Sequence, residues 1–206
     1  MVQAAGPVPA LLPYLDAVPD PRKPRGKRHP LSAILGLSCA AMLAGCDSLL
    51  ALTEWGRDPA GGAPLAARLG FTRAKTPCVA TLHRVFKTID VAAFERAVGA
   101  WATATEAARA NDAPGGPIPL RAVAVDGKVL RGSAAAGVPA VRLLSALGHD
   151  LGLVLAESPV APTTDEAGAL PALLAALVVE GRVLTFDAAF TDRTVAEAIS
   201  EKGGTP

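Results

Sequence analysis

The sequence predicts an α+β protein, in which an all-helical N-terminal unit precedes a unit with the element order β-β-β-α-β-α. In the first half, apolar residues recur every three to four positions, whereas short β-branched runs begin after residue 119. Between the halves lies NDAPGGPIP, residues 111–119, whose two glycines and three prolines are typical of a linker. With 206 residues, 50% of them hydrophobic, the chain can bury one large core or two small ones.

Residues 1–29 are predicted to form a Pro-rich basic arm that ends in DPRKPRGKRH. Proline fixes φ and lacks a backbone donor, so we expect an extended conformation rather than a helix. No acid follows Asp20 within this arm, whereas five cations do: Arg22, Lys23, Arg25, Lys27 and Arg28. Such a run can follow the phosphates of DNA, and a solvated tail explains the same charges equally well.

Residues 30–110 are predicted to form a helical domain. Pro30 suits the first turn of a helix that continues to about Gly45. Ser48 is an N-cap residue for a second helix, which we expect to end between residues 55 and 57. After the loop DPAGGAP, the string LAARLG predicts a short third helix.

A helix over residues 77–89, capped by Thr76, is predicted from its apolar stripe of Val79, Leu82, Val85, Phe86 and Ile89. Away from that stripe lie three residues that could enter a major groove: Thr81, Arg84 and Lys87. A plain surface helix explains the same pattern. Asp90 is expected to cap the next helix, which runs to about residue 110.

Four strands are predicted in the second half, over residues 120–132, 141–150, 152–161 and 182–188. A tight turn with His149, Asp150 and Gly152 should join the second strand to the third. Asp165 and Glu166 open an Ala- and Leu-rich helix to about residue 179, and a last helix runs over residues 192–202.

Two aspartates leave predicted strands in similar contexts, Asp126 in AVAVDGKVLRGS and Asp187 in RVLTFDAAF. A carboxylate at the end of a buried strand can hold a divalent cation, and a pair suggests phosphoryl-transfer chemistry. Asp126 also fits the turn of an Asp-Gly hairpin, and Asp187 also fits a cap of the following helix. Glu166, Glu197 and Glu201 are expected to be ordinary helix acids.

The strings DGKVLRGS and LTFDA, with DPRKPRGKRHPLSAILGLSCAAMLAG, SLLALTEWGRD and TPCVATLHRVFKTID, resemble the bacterial DDE insertion-sequence transposases of the ISAs type, also called H-repeat-associated proteins. The resemblance runs over nearly the whole chain. It implies that residues 30–110 bind DNA and that residues 120–206 are the first half of an RNase H-like catalytic domain. In that fold the first strand and the strand after the helix are neighbours, which would bring Asp126 and Asp187 together.

The resemblance further implies Mg²⁺- or Mn²⁺-dependent cleavage and joining of DNA strands at a two-metal site. Asp126 would bind both metal ions and Asp187 one of them, while Lys128 would offset phosphate charge nearby. The implied partner is DNA, as insertion-sequence ends and as target, and a homo-oligomer is compatible with the resemblance.

The sequence departs from the family pattern in three places. Thr163 and Asp165 stand where a Lys and an Asn are expected, and Phe190 and Asp192 stand where a His and a Gln are expected. The family continues past its Gly-Gly pair to a third catalytic acid, whereas GGTP ends this sequence. We therefore expect a C-terminally truncated copy that binds metal weakly and has little or no strand-cleavage activity.

Two other hypotheses remain open. The chain could bind element ends without catalysis and so repress transposition, which requires the basic arm but not Asp126. Alternatively, it could be a product without function, poorly soluble because an incomplete sheet exposes an unpaired strand edge.

Charge is distributed unevenly along the sequence. Residues 1–112 carry 13 Lys and Arg against nine acids, whereas residues 113–206 carry seven against ten, so a polyanion would meet the N-terminal half first.

The cysteines, Cys39, Cys46 and Cys78, lack C-x-x-C spacing and are expected to be reduced core residues. His29, His83 and His149 show no metal-binding spacing. Without a basic n-region, and with a longest apolar run shorter than the roughly 20 residues of a membrane span, we expect a cytoplasmic protein.

Overall fold

The computed structural model describes residues 9–71, 75–111, 121–149, 152–190 and 192–206. These form two compact units, one over residues 9–101 and the other over residues 102–206. The first is helical and the second contains a mixed four-stranded sheet, which confirms the predicted α+β class. All but the first residue of the predicted linker 111–119 lies outside the described residues, so the predicted domain boundaries stay predictions.

The helical unit packs around an apolar core to which every one of its helices contributes. Leu15, Ile34, Leu37, Leu82 and Val85 are almost fully buried there. Its helices are α1 Leu12–Leu15, α2 Leu31–Leu43, α3 Leu49–Trp55, α4 Ala63–Arg68, α5 Val79–Thr88 and the first half of α6 Val91–Asn111.

The helix starts follow the predicted caps in two places and not in a third. The Ser48 side chain accepts a hydrogen bond from the Ala51 N–H at 3.1 Å, and Asp90 accepts one from the Ala93 N–H at 2.9 Å, as predicted. The predicted cap at Thr76 is wrong, because α5 begins at residue 79 and Cys78 precedes it without a side-chain cap bond. Thr76 is instead buried and accepts a hydrogen bond from Arg57 Nε at 3.4 Å.

The expectation of an extended arm is also wrong for the described residues of the arm. Besides α1, residues Pro24–Gly26 form a 3₁₀ turn. Leu15 and Val18 are buried in the helical core. Proline is compatible with a first helical turn, where its missing N–H has no partner to lose, and Pro13 and Pro24 both occupy such positions.

The sheet is built from β1 Arg121–Val129, β2 Arg142–Gly148, β3 Leu153–Val160 and β4 Arg182–Phe186, in the order β3-β2-β1-β4. β1 pairs antiparallel with β2 and parallel with β4, and β2 pairs antiparallel with β3. The predicted adjacency of the first strand and the strand after the helix is therefore confirmed. Gly152, at the predicted turn before β3, has φ +62°, a conformation that glycine tolerates best.

Two helices complete the sheet unit, α7 Glu166–Ala176 and α8 Arg193–Glu201. Asp165 caps α7 through the Gly168 N–H at 2.9 Å, and α7 packs against β2 and β3. α8 is capped by Asp192, which accepts from the Thr194 N–H at 2.9 Å. Thr205 then forms a parallel bridge with Val183, so the outer edge of β4 is partly paired.

A buried ion cluster joins the second half of α6 to the sheet. Arg182 donates to Glu106 through Nη1 at 3.1 Å and through Nη2 at 2.5 Å, and Arg121 Nη1 lies 3.6 Å from the same carboxylate. Arg182 and Glu106 are both about 5% exposed. A charge withdrawn from water needs such a paired and hydrogen-bonded partner, so this cluster fixes the end of α6 on β1 and β4. In the described part of the chain, no helix is both long enough and apolar enough to cross a bilayer.

Replacing Glu106 by Ala should lower the free energy of unfolding of the sheet unit by about 3 kcal/mol, because Arg182 would keep its charge in a buried site without a counter-ion. Urea unfolding followed by circular dichroism measures this loss. The matched control is Glu197→Ala, since the Arg193–Glu197 pair is solvent-exposed and should change stability by less than about 0.5 kcal/mol. Equal effects of the two substitutions would contradict a structural role for the buried cluster.

Candidate nucleic-acid interface and candidate metal site

A broad cavity of about 1250 Å³ on the helical unit is lined by residues between positions 21 and 29, by α5 and by residues from two loops. We call this cavity the basic groove, and we call residues 20–29 the basic segment. Its lining contains no Asp or Glu, and it contains nine cations: Arg22, Lys23, Arg25, Lys27, Arg28, Arg57, Lys75, Arg84 and Lys87. A concave surface of one charge sign concentrates the electrostatic potential, so this groove is suited to an extended anion.

The basic groove unites two segments that the sequence predicted separately for DNA contact. All five cations of the basic arm line it, together with Thr81, Arg84 and Lys87 of α5. Arg84 and Lys87 are exposed, while Leu82 and Val85 on the same helix are buried in the core. The predicted separation of the polar positions from the apolar stripe is therefore confirmed for these residues, although Val79 and Phe86 are 36% exposed.

Sequence reasoning missed two cations of the groove, Arg57 and Lys75. Arg57 follows α3 and donates to Thr76, which places its side chain beside the start of α5. Neither residue belongs to a basic run or to an amphipathic helix face, so no local pattern separates them from ordinary surface cations.

Asp20 organises the basic segment from just outside the groove lining. Arg22 donates to it twice, from Nε to Oδ1 and from Nη2 to Oδ2, both at 2.9 Å, in a fork-like pair. Arg22 Nη2 also donates to the His29 carbonyl at 2.8 Å. Lys27 Nζ lies 3.8 Å from Asp20 Oδ2. The hydrogen bond from the Arg22 side chain holds the pKa of Asp20 below its usual range.

Two other groups in the groove have altered acidity. His29 is buried against Phe71, with ring centroids 5.5 Å apart, and burial, with Arg28 and Arg22 nearby, lowers its pKa. Cys78 is exposed rather than in the core, so the expectation for this cysteine is wrong. The hydrogen bond between Cys78 Sγ and Thr81 Oγ1, 3.4 Å long, lowers the pKa of the thiol.

The two aspartates predicted as metal ligands lie at the same end of neighbouring parallel strands. Val125 of β1 is in register with Phe186 of β4, and Asp126 and Asp187 directly follow these residues. Adjacent strands are about 4.8 Å apart, so the two carboxylates can approach one cation. Both side chains are exposed, and Asp126 Oδ2 is 2.6 Å from Lys128 Nζ.

The structure decides both alternatives for these aspartates. Asp126 and Gly127 are not a hairpin turn, because they lie within β1 and pair with Ser145 and Leu144 of β2. Asp187 is not the cap of α8, because Asp192 has that position. Asp187 Oδ1 instead accepts from the Ala188 N–H, before a 3₁₀ turn over Ala188–Phe190. Phe190, where the family resemblance expects a His, is buried in the core.

Two further acids lie near this site without joining it. Glu157 occupies the same row of the sheet, through the register Asp126–Ser145–Glu157, and accepts from Ser145 Oγ at 2.9 Å. Two strand spacings, about 10 Å, separate it from Asp126. Among the described residues, no group of three His, Cys, Asp or Glu side chains is arranged to hold a metal ion.

Glu166 opens α7, as expected for a first-turn helix acid, and its carboxylate lies against Gly127 in the space that a Cβ would fill. Gly127 pairs with Leu144, which is fully buried, so this contact is on the face of β1 opposite to the Asp126 side chain. A Cβ at position 127 would meet the end of the Glu166 side chain, which would have to move aside. Arg142 Nη2, 3.8 Å from Glu166 Oε1, is the cation beside it.

Several known proteins that are similar to this chain are named as putative transposases. The DDE_Tnp_1-associated family model matches residues 12–102. The chain is 34% identical, over 98% of its length, to the "Uncharacterized protein in dhlA 3'region" of Xanthobacter autotrophicus, and spans 65% of that protein.

Two Escherichia coli K12 relatives have informative names. Over 95% of the chain, 29% of residues are identical to "Putative transposase YncI", of which 75% is covered. Over 94% of the chain, 26% are identical to "H repeat-associated putative transposase YhhI", of which 49% is covered. No solved structure matches the chain significantly. Together these similarities support a transposase family.

The lowered pKa of Asp20 predicts a specific pH dependence. A carboxylate whose pKa is depressed in the folded state stabilises that state above its unfolded pKa, and the stabilisation is lost as pH falls through the folded pKa. The wild-type chain should therefore unfold at higher urea concentration than Asp20→Asn at pH 7. This difference between the two urea midpoints, the gap, should disappear in acid. Urea midpoints measured between pH 7 and pH 3 check this. A gap that is constant across this range would refute a contribution from the Asp20 carboxylate.

Proposed function

We propose that this chain is a transposase-family protein whose helical unit binds DNA along the basic groove. The observation that carries the proposal is the groove itself, where nine cations and no acid line one cavity. The family match over residues 12–102 covers every residue of that lining. The relatives named as transposases supply the general class of ligand, since transposases act on DNA.

Binding in the groove would be carried mainly by phosphates. Each Lys or Arg that neutralises a phosphate releases condensed counter-ions, so affinity should fall steeply with salt. Arg84 and Lys87 project from the exposed side of α5, a helix of ten residues that could lie against or within a major groove. Thr81 adds a hydroxyl group on the groove wall that can bind phosphate or base edges.

We further propose that the sheet unit is the front of an RNase H-like catalytic domain of the ISAs-type transposases. The strand order, with β1 beside a parallel β4, supports this proposal. Asp126 and Asp187 supply hard oxygen donors, and Mg²⁺ is often held by one or two carboxylates together with waters and substrate phosphates. The donor set therefore fits Mg²⁺ or Mn²⁺ in kind.

In this site the metal would lower the pKa of an attacking water and neutralise phosphate charge. Asp126 and Asp187 would hold and orient it. Lys128 could exchange its contact with Asp126 for a contact with phosphate, because its side chain is 61% exposed. No third acid joins these two carboxylates among the described residues, and two carboxylates alone hold Mg²⁺ weakly, so we expect little strand cleavage.

A specific observation favours the alternative of a non-catalytic protein that binds element ends and represses transposition. All residues of the basic groove lie between positions 21 and 88, whereas both candidate metal ligands lie beyond position 120. DNA binding through the groove therefore has no need of Asp126. The two functions share the groove and differ only in whether DNA strands are cut.

Substituting Arg84 or Lys87 by Ala should weaken binding to a 30-base-pair duplex, and should reduce the slope of log affinity against log salt by about one for each lost phosphate contact. Fluorescence anisotropy between 50 and 300 mM salt measures both quantities. Lys202→Ala is the matched control, since this exposed cation follows α8 and is not part of the groove. Undetectable DNA binding by the wild-type chain at low salt would exclude the proposed function.

Supercoiled DNA carrying the element ends, incubated with the chain and Mg²⁺, should show little cleavage, and Asp126→Ala should bind DNA as tightly as the wild type. Mn²⁺ should nevertheless broaden the NMR signals of residues around Asp126 and Asp187, and Asp126→Asn should abolish that broadening. Robust cleavage that is lost in Asp126→Ala would instead show an active nuclease site. Glu201→Gln serves as the charge control for the Mn²⁺ measurement.

A further inference from the structure

Asp20 directly contacts two cations of the basic groove, Arg22 and Lys27. On charge alone, an acid beside a DNA-binding surface should repel DNA and weaken binding. Its contacts suggest a different role, because it engages Arg22 through both carboxylate oxygens and also accepts from the Arg22 backbone N–H at 3.0 Å.

The same Arg22 side chain reaches across the segment to the His29 carbonyl. Asp20, Arg22 and this carbonyl together form what we call the Asp20 clasp. The clasp ties residue 20 to residue 29 and so closes the basic segment into a loop. Its side chains are largely withdrawn from solvent, with Arg22 10% and Asp20 18% exposed. A fork-like pair at this burial restricts the loop more than a surface ion pair would.

We propose that Asp20 is a positioning residue for DNA binding and that Arg22 serves as its clasp partner rather than as a phosphate contact. This inference rests on the proposed function of the basic groove. The clasp orders the loop during folding, so that the entropy of fixing its backbone is not lost again when DNA binds. The exposed cations Lys23 and Arg25, between the two ends of the clasp, are then held along one wall of the groove.

Lys27 has an intermediate position in this arrangement. It is 3.8 Å from Asp20 and 44% exposed, which leaves its ammonium group accessible to an incoming phosphate. Arg22 has both oxygens of Asp20 and a backbone carbonyl as acceptors, and releasing it would leave a nearly buried carboxylate without its main partner. Arg22 is therefore assigned to the clasp, because it is more buried and makes more hydrogen bonds, and Lys27 is assigned to phosphate contact, because it is more exposed.

The test compares two substitutions that remove the same negative charge from the N-terminal segment. Asp20→Asn breaks the charged fork, whereas Asp16→Asn changes an exposed acid four residues away, at the end of α1. If Asp20 positions the loop, Asp20→Asn should bind a 30-base-pair duplex about five- to tenfold more weakly than the wild type, despite the lost repulsion. Asp16→Asn should bind as tightly as the wild type or slightly more tightly.

Two further readouts separate positioning from a general loss of stability. The salt slope of Asp20→Asn should fall by about one to two units, because displaced cations no longer meet phosphates. Arg22→Lys keeps the charge but loses the fork, so it should weaken binding similarly, and the double variant should be no more than about twofold weaker than either single variant. Thermal unfolding by circular dichroism verifies that each variant is folded at the temperature of the assay.

The outcomes distinguish this inference from the function on which it rests. Undetectable DNA binding by the wild-type chain would overturn both. Binding by the wild type with Asp20→Asn as tight as Asp16→Asn would overturn the positioning role alone. Additive losses in the double variant would overturn the clasp as a unit and would make Arg22 an independent phosphate contact. If Asp20→Asn proves unfolded, Arg22→Lys with its salt slope decides the question.

Discussion

The architecture of both units depends on the cost of removing a charge from water, which must be met by a close partner of opposite sign. In the sheet unit this constraint joins Glu106 of α6 to Arg182 of β4. In the helical unit it joins Asp20 to Arg22 and closes the basic segment. Each pair connects positions that are far apart in the sequence or on opposite sides of a turn: residues 106 and 182 in one case, and residues 20 and 22, with the bond on to residue 29, in the other.

In the basic groove, charges of the same sign are clustered, in contrast to the paired opposite charges of the two ion pairs. Its nine cations face one cavity whose lining has no acid, so they repel one another in the folded protein, and this mutual repulsion is unfavourable for stability. An anion that enters the groove relieves this repulsion, because exposed cations such as Lys23, Arg25 and Lys87 then gain an opposite charge. A polyanion with regularly spaced charges relieves the repulsion better than a small ion, which can reach only a few of the cations. Conserving the groove's shape without a ligand requires rigid supports, and the core residues Leu82 and Val85 of α5 provide one of them.

The sequence was sufficient for features that are local and insufficient for those that need distant partners. Ser48 and Asp90 were recognisable as helix caps, because a cap is determined by a few consecutive residues. Asp165 and Asp192 were placed at the starts of their helices, and the structure shows that they are the caps. The strand order could be predicted through the family resemblance, which brought the two aspartates together. The folded state of the basic segment was not predictable from its prolines, since it depends on Leu15 and Val18 entering the core and on a bond from Arg22 to His29. For the same reason Arg57 and Lys75 were missed: they join the groove only through tertiary packing.

The proposed metal site adds a thermodynamic connection between metal and DNA. Asp126 and Asp187 offer two carboxylates, and Lys128 competes for one of them at 2.6 Å. A phosphate placed at this edge would attract the Lys128 ammonium group away from Asp126 and would supply oxygen ligands beyond those of Asp126 and Asp187. Metal and phosphate would therefore each raise the affinity of the other, as linkage requires for two ligands that stabilise the same arrangement. Such a site would hold little metal at low metal concentration until a phosphate is bound, so strand chemistry would be confined to a complex with DNA.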